Sequence, residues 1–184
     1  IDSVVDMARM HGGTGALLER ETDVTALARD VAASLAALAG SRDMRLELGF
    51  AAALPPLRCD PRMLTRVLMN LVGNALRHAT AGTAVRLHAR LDHVRRFVIE
   101  ICDEGPGIDA ATLRAASAPL GSAAADARVA RCSGLGLPLS RALVELHGGT
   151  FRILSHPGTG TRVLAVFPAD RSGENTAYRS LTIL

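Results

Sequence analysis

The sequence has no tryptophan, and aromatic residues make up only 3% of its 184 positions. A nucleic-acid surface normally pairs a basic stripe with aromatic side chains that stack on bases. Here the net charge is +3 and the arginines are scattered rather than grouped, so nucleic acid is not expected as a partner. Cysteine is scarce too: Cys59, Cys102 and Cys132 are odd in number, far apart and free of CxxC spacing. That pattern excludes a disulfide framework and a cysteine zinc site, and it fits a reducing cytoplasm. No apolar run reaches the roughly 18 residues of a membrane span, and the first residues form no signal-peptide pattern. Direct membrane contact is not expected of this chain, although a longer parent can be anchored in the inner membrane.

What is present is a chain that is 48% apolar, enough for one domain with a sizeable core. Its organising stretch runs from Asp60 to Thr80. Leu64, Val67, Leu68, Leu71, Val72, Ala75 and Leu76 recur at helical spacing. At about 100° per residue, Asn70, Asn74 and Arg77 gather in a wedge roughly 60° wide beside that stripe. Asp60 suits the N-cap and Pro61 the first turn.

Around this helix the pattern alternates strands and helices. Residues 16–21 read as a short edge strand. Thr22 or Asp23 can cap a helix running to about Ala39, with Val24, Leu27, Val31, Leu35 and Leu38 buried and Gly40 ending it. Residues 44–50, 57–59, 84–91, 96–102, 150–154 and 161–167 read as strands. Residues 110–116 read as a short helix. A further helix runs from the Gly134-Leu135-Gly136-Leu137 turn to about His147, with Leu137, Leu139, Ala142, Leu143 and Leu146 available for burial. Residues 118–133 are rich in small side chains and have no period, a length at which a loop is usually functional. The expected fold class is α+β.

Four short stretches carry chemistry. A carboxamide oxygen suits Mg²⁺, and an arginine pairs with phosphate, so the Asn70–Asn74–Arg77 face can hold both. Its bland alternative is a solvated helix face. Asp103-Glu104-Gly105-Pro106-Gly107-Ile108 follows a buried strand. There an aspartate can accept a hydrogen bond from an exocyclic amine, and Gly105 and Gly107 let backbone approach a flat ring. The alternative is an ordinary glycine turn. Gly134 and Gly136 open a helix, where backbone N–H groups favour anions. They form neither a Walker A loop nor a dinucleotide fingerprint. Gly158-Thr159-Gly160-Thr161 is a hairpin turn whose Thr159 or Thr161 hydroxyl can face a ligand.

In this order and spacing, NLVGNALRHA, DEGPGI, GLGL before a helix ending ELHGG, and GTGT resemble the catalytic ATP-binding domain of sensor histidine kinases. That domain has the Bergerat fold, shared with gyrase and MutL ATPases. The resemblance covers about residues 16–168. It implies a two-layer sandwich of a mixed or antiparallel sheet packed on about three helices. It further implies ATP and Mg²⁺ as cofactors, with Asn74 as metal ligand and Asn70 and Arg77 along the phosphates. His78 stands where an aromatic near adenine is common. Asp103 would receive the adenine amine, supported by Gly105, Gly107 and Ile108. Gly134, Leu135, Gly136 and Leu137 would shape the phosphate end, Thr161 would close the adenine pocket, and residues 118–133 would be the ATP lid. Arg128 and Arg131 are placed to reach the γ-phosphate. The lid lacks the usual phenylalanines, and Cys132 replaces a customary glycine.

Hydrolytic relatives carry a glutamate four residues before the Mg²⁺ asparagine. Asn70 occupies that position here and is a poor general base. The resemblance therefore implies transfer of the γ-phosphate to a histidine rather than to water. No histidine of this chain sits in a phosphoacceptor box. Residues 1–14 are expected to be the end of a dimerisation hairpin's second helix, residues 15–168 or so the catalytic domain, and residues 169–184 a tail. The implied partners are the parent's phosphoacceptor hairpin and a response regulator receiver domain. The chain is expected to be monomeric and its parent a homodimer. Two alternatives stand beside this reading. One is a degenerate module that binds a regulator or partner kinase without catalysis. The other is a serine kinase of the anti-sigma type.

Overall fold

The computed structural model describes residues 17–116 and 136–172, and the architecture below is that of these residues. They form β1 (Arg20–Thr22), α1 (Val24–Ser41), β2 (Arg45–Phe50), β3 (Leu57–Cys59), α2 (Pro61–His78), β4 (Ala84–Leu91) and β5 (Phe97–Asp103). Then come α3 (Ala110–Ala116), α4 (Gly136–Leu146), β6 (Thr150–His156), β7 (Gly160–Phe167) and a 3₁₀ turn, Ala169–Arg171. The α+β two-layer expectation holds: a five-stranded sheet in the order β2-β4-β5-β7-β6 carries the helices, with β2 parallel to β4 and the other pairs antiparallel. A separate antiparallel pair joins β1 to β3.

Strand periodicity sets the two faces. Val85, Leu87, Ala89, Phe97, Ile99, Ile101, Val163, Ala165 and Phe167 alternate along their strands and enter the core. Several of the intervening positions carry charge: Glu100 pairs with Arg162 at 2.9 Å, and Arg86 pairs with Glu47 at 3.1 Å and Glu104 at 2.7 Å. The other side of the core is the apolar stripe of α2, from Leu64 to Leu76, buried as its spacing predicts. Each buried leucine or valine contributes roughly 1.5–3 kcal/mol. Asp60 caps α2 by accepting from the Arg62 N–H at 3.0 Å.

α1 starts at the Asp23 cap, whose carboxylate takes the N–H groups of Thr25 and Ala26 at 2.8 and 3.0 Å. Three sequence expectations about the helices need correction. Gly40 does not end α1, which runs to Ser41; nothing lies within 4 Å of a Cβ placed at Gly40, so the helix simply passes through it. Leu27 and Leu38 are only partly buried, while Ala28 and Ala39 take the deep positions. Leu146 is 46% exposed, because α4 ends there and the chain turns His147 inward instead. Among the described residues α1 is the one helix long and apolar enough to cross a membrane, yet its buried residues Val24, Ala28, Val31, Leu35 and Ala39 face this core. The stretch after β7 also packs on the body: Arg171 donates to Glu19 at 2.6 Å and to the Arg58 carbonyl at 3.0 Å, and Ser172 bridges Leu57.

Candidate functional site

α2 crosses the sheet so that its last turns overhang the ends of β5 and β7. Between them lies a cavity of about 250 Å³. Its apolar wall is Leu71, Ala75, Ile101, Leu137 and Val163, and its polar groups are Asn74, His78, Asp103, Asp109 and Thr161. Pro106, Gly107 and Ile108 close one side. A mostly apolar slot with a few convergent polar groups suits a flat heteroaromatic ring.

Asp103 ends β5 and faces Thr161 of β7 in the strand register. Its Oδ1 accepts the N–H groups of Gly105 at 2.9 Å and Thr161 at 3.3 Å. Burial pushes its carboxyl above the usual carboxylate range, although those two N–H groups pull the other way. With Oδ1 so engaged, the carboxyl retains acceptor capacity toward the cavity it lines.

Glycine spacing in the DEGPGI loop has a reason other than the approach to a ring. A Cβ at Gly105 would sit 2.7 Å from the His78 carbonyl oxygen, so this position is set by the packing of the loop under the end of α2. Gly107 has φ of +72°, and a Cβ there would meet the His156 carbonyl at 2.2 Å. Gly107 lines the cavity; Gly105 sits behind it.

Beside the cavity, on the last turns of α2, Arg77 donates to the carboxamide oxygen of Asn74 one turn earlier, and its own carbonyl accepts from Arg42 at 2.9 Å. The amide nitrogens of Asn70 and Asn74 are buried with no hydrogen-bond partner among the described residues. Buried polar atoms are normally paired, so two adjacent exceptions mark a place built for another group. Gly136, at the start of α4, lies against both: a Cβ there would be 3.4 Å from Asn74 Nδ2 and 3.7 Å from Asn70 Cγ. Amide oxygen and nitrogen interchange by a half-turn, so Asn70 can present an oxygen to a hard cation, and Asn74 can do so once Arg77 releases its oxygen. Among the described residues no group of three His, Cys, Asp or Glu side chains forms a metal cage. Two carboxamide oxygens are a partial, hard donor set, of the kind that fits an ion whose other ligands are phosphate oxygens or water, as with Mg²⁺.

Of the residues singled out in the sequence, Asn74, His78, Asp103, Gly107, Ile108, Leu137 and Thr161 line one cavity. Asn70, Arg77, Gly105 and Gly136 adjoin it through the contacts above. Arg128, Arg131, Gly134, Leu135, the expected lid, the expected hairpin remnant and most of the tail lie outside the described residues. Sequence reasoning missed Ser155, whose hydroxyl accepts from the Ile108 N–H at 2.8 Å. A serine at that alternation carries no signal until β6 is paired with β7.

The model of the family described as histidine kinase-, DNA gyrase B- and HSP90-like ATPase matches residues 59–171. The chain is 30% identical over 174 residues to an uncharacterised sensor-like histidine kinase of Rhizobium meliloti, covering 94% of this chain and 33% of that protein. It is 34% identical over 168 residues to the virulence sensor protein BvgS of Bordetella bronchiseptica, covering 89% of this chain and 14% of BvgS. It thus spans a third or less of the length of these relatives. Among solved structures it resembles full-length ShkA in complex with AMPPNP, with a TM-score of 0.78 and 25% identity over 91% of this chain and 34% of ShkA. The fold is also that of the catalytic domain of the histidine kinase ThkA, with a TM-score of 0.69, 18% identity and coverage of 82% of this chain and 97% of that one.

Proposed function

Because the chain belongs to the histidine kinase-, DNA gyrase B- and HSP90-like ATPase family, as an ATP-binding catalytic domain of the sensor histidine kinase kind, we propose that it presents the γ-phosphate of ATP to a histidine on a separate helical hairpin. The observation that carries this reading is the pair of buried amide nitrogens of Asn70 and Asn74, unpartnered among the described residues, close to a cavity that ends on the half-buried Asp103. That arrangement provides for both ends of a nucleotide.

The adenine ring fits the slot between Leu71, Ala75, Ile101 and Val163, and its amine donates to Asp103. Arg77 pairs with phosphate oxygens once it leaves Asn74. Asn74, with Asn70 beside it, would hold Mg²⁺ together with the phosphates; the ion supplies neutralisation of the charge on the transferring group. Asn70 cannot take a proton from water, so the site favours positioning over hydrolysis. The acceptor imidazole comes from the parent's phosphoacceptor hairpin, and the phosphoryl group passes on to a receiver domain. A cytoplasmic setting beside a membrane-anchored sensor suits these partners.

The test has two steps. Calorimetric titration of the chain with Mg²⁺ and a non-hydrolysable ATP analogue should show one site, and Mg²⁺-ATP should then label the parent's hairpin in trans. Asn74→Ala should abolish labelling while the chain stays folded. Absence of binding at millimolar nucleotide, or full labelling by Asn74→Ala, overturns the reading.

A further inference from the structure

Asp103, Thr161 and Ser155 lie side by side on β5, β7 and β6, because Asp103 is the register partner of Thr161 and Thr161 that of Ser155. All three are on the helix-facing side of the sheet, next to the apolar row of Ile101, Val163 and Ile153. Ser155 Oγ has three polar neighbours: Ile108 N at 2.8 Å, Gly160 O at 2.9 Å and Thr161 Oγ1 at 3.0 Å.

These contacts fix the direction of protons. An amide N–H can only donate, so Ser155 accepts from Ile108. A carbonyl can only accept, so the single Ser155 proton goes to Gly160 O. The remaining contact is then complete only if Thr161 donates to Ser155. Thr161 has one hydroxyl proton, and with that proton directed at Ser155 it offers only lone pairs to the cavity it lines.

We propose that Ser155 is a specificity-determining positioning residue that makes Thr161 a fixed hydrogen-bond acceptor, so that the Asp103–Thr161 edge reads the 6-amino group of adenine as a double donor. The inference rests on the ATP reading above and adds to it a reason for base choice. Guanine presents an oxygen at the same place and meets two acceptors. Without Ser155, Thr161 can rotate and donate, and only Asp103 still disfavours guanine. Ser155 touches neither ring nor phosphate in this scheme and acts through Thr161.

The measurement is the ratio of dissociation constants for purine riboside triphosphate, which lacks the 6-amine, and ATP, both with Mg²⁺ and titrated against the whole chain. The wild-type chain should favour ATP. Ser155→Ala should cut that preference about fivefold, the worth of one neutral hydrogen bond, and should relax rejection of GTP. Ser155→Thr, which keeps a hydroxyl, should restore it. Thr161→Val should lose the same factor, and the double variant Ser155→Ala/Thr161→Val should lose no more than either alone. An equal loss of affinity for both nucleotides in Ser155→Ala makes Ser155 merely structural and overturns the proposal. An unchanged ratio in Thr161→Val overturns it as well, even where Ser155→Ala fails to fold. If the wild-type chain binds neither nucleotide, the ATP reading fails first and the inference falls with it.

Discussion

The backbone N–H of Asp60 donates to Nε2 of His147 across 3.0 Å, joining the start of α2 to the end of α4 inside the core. The other ring nitrogen, Nδ1, meets the Leu143 carbonyl at 2.7 Å, so Nδ1 carries the proton and Nε2 accepts. The ring also packs edge-on against Phe167, with centroids 6.2 Å apart. One side chain therefore ties the cavity-lining helix α2, α4 and the last strand together.

His147→Phe should keep the ring packing but leave the Asp60 N–H buried without an acceptor. A loss of about 1–3 kcal/mol is expected, read as a lower urea midpoint at unchanged slope. Asn74 lies about 20 Å further along the axis of α2. Nucleotide affinity of the folded variant should therefore stay close to that of the wild type, and a selective loss of affinity would contradict the assignment.

Asp60 also gives the fold an acid limit. Its carboxylate is fully buried and is held down to about 2, first by the Arg62 side chain and then, against the cost of burial, by the N–H groups of Leu18 and Arg62. A carboxyl with a depressed folded pKa stabilises the fold above its unfolded value and loses that contribution as pH falls toward the folded one. The contribution is roughly 2 kcal/mol at most, since the Arg62 partner stands in solvent. Between pH 5 and pH 2 the wild-type chain should lose this increment, whereas Asp60→Asn should start lower at neutral pH and show a flatter decline. Parallel denaturation curves for the two proteins over that range would refute the claim.

Asp103 works in the opposite sense. Burial raises its pKa, so as a carboxylate it costs the fold stability once pH rises above the unfolded value toward the folded one. Asp103→Asn retains an oxygen for the Gly105 and Thr161 N–H groups and removes the half-buried charge. The variant should melt higher than wild type at pH 7 and lose most of that advantage at pH 3. It should also bind ATP on the order of ten- to a hundredfold more weakly, because an acceptor for the adenine amine is gone. A variant that is both less stable and unimpaired in binding would contradict both halves.

Much of this was legible because it is local. The α2 stripe, its Asp60 cap and the clustering of Asn70, Asn74 and Arg77 follow from helical spacing alone. The Asp103 loop and the GTGT turn could be found as motifs, but their meeting could not: Asp103 and Thr161 are neighbours only through a strand register spanning 58 positions. Ser155 was invisible for the same reason, since its partners Ile108 and Thr161 come from separate segments. The sequence marks His147 only as the approximate end of a helix and offers Leu146 for burial, yet His147 is 2% exposed while Leu146 beside it is in solvent. A one-residue difference in where α4 stops decides which of the two turns inward, and helix ends are the least certain feature of a periodicity. Gly40 misled for an energetic reason: an exposed glycine inside a helix costs only about 1 kcal/mol, which the packing of α1 outweighs.

The two ends of the site should separate in a single variant. Arg77 is exposed, its guanidinium binds the Asn74 carboxamide, and its planar end lies over Gly73, 3.4 Å from where a Cβ would sit. Arg77→Met keeps the side-chain stem and removes the charge. Because Arg77 is solvent-facing, stability should change by no more than about 0.5 kcal/mol. A nucleotide whose phosphates reach the Asn70–Asn74 end loses a charge-assisted pair, so ATP affinity should fall roughly tenfold, and the loss should shrink as salt screens the remaining charges. Adenosine stops short of that end and engages only the Asp103 side of the cavity. Its binding, followed by chemical-shift changes at Ile101 and Val163, should be unaffected. Equal weakening of ATP and adenosine would place Arg77 at the ring instead of the phosphates and would reverse the orientation of the nucleotide in the cavity.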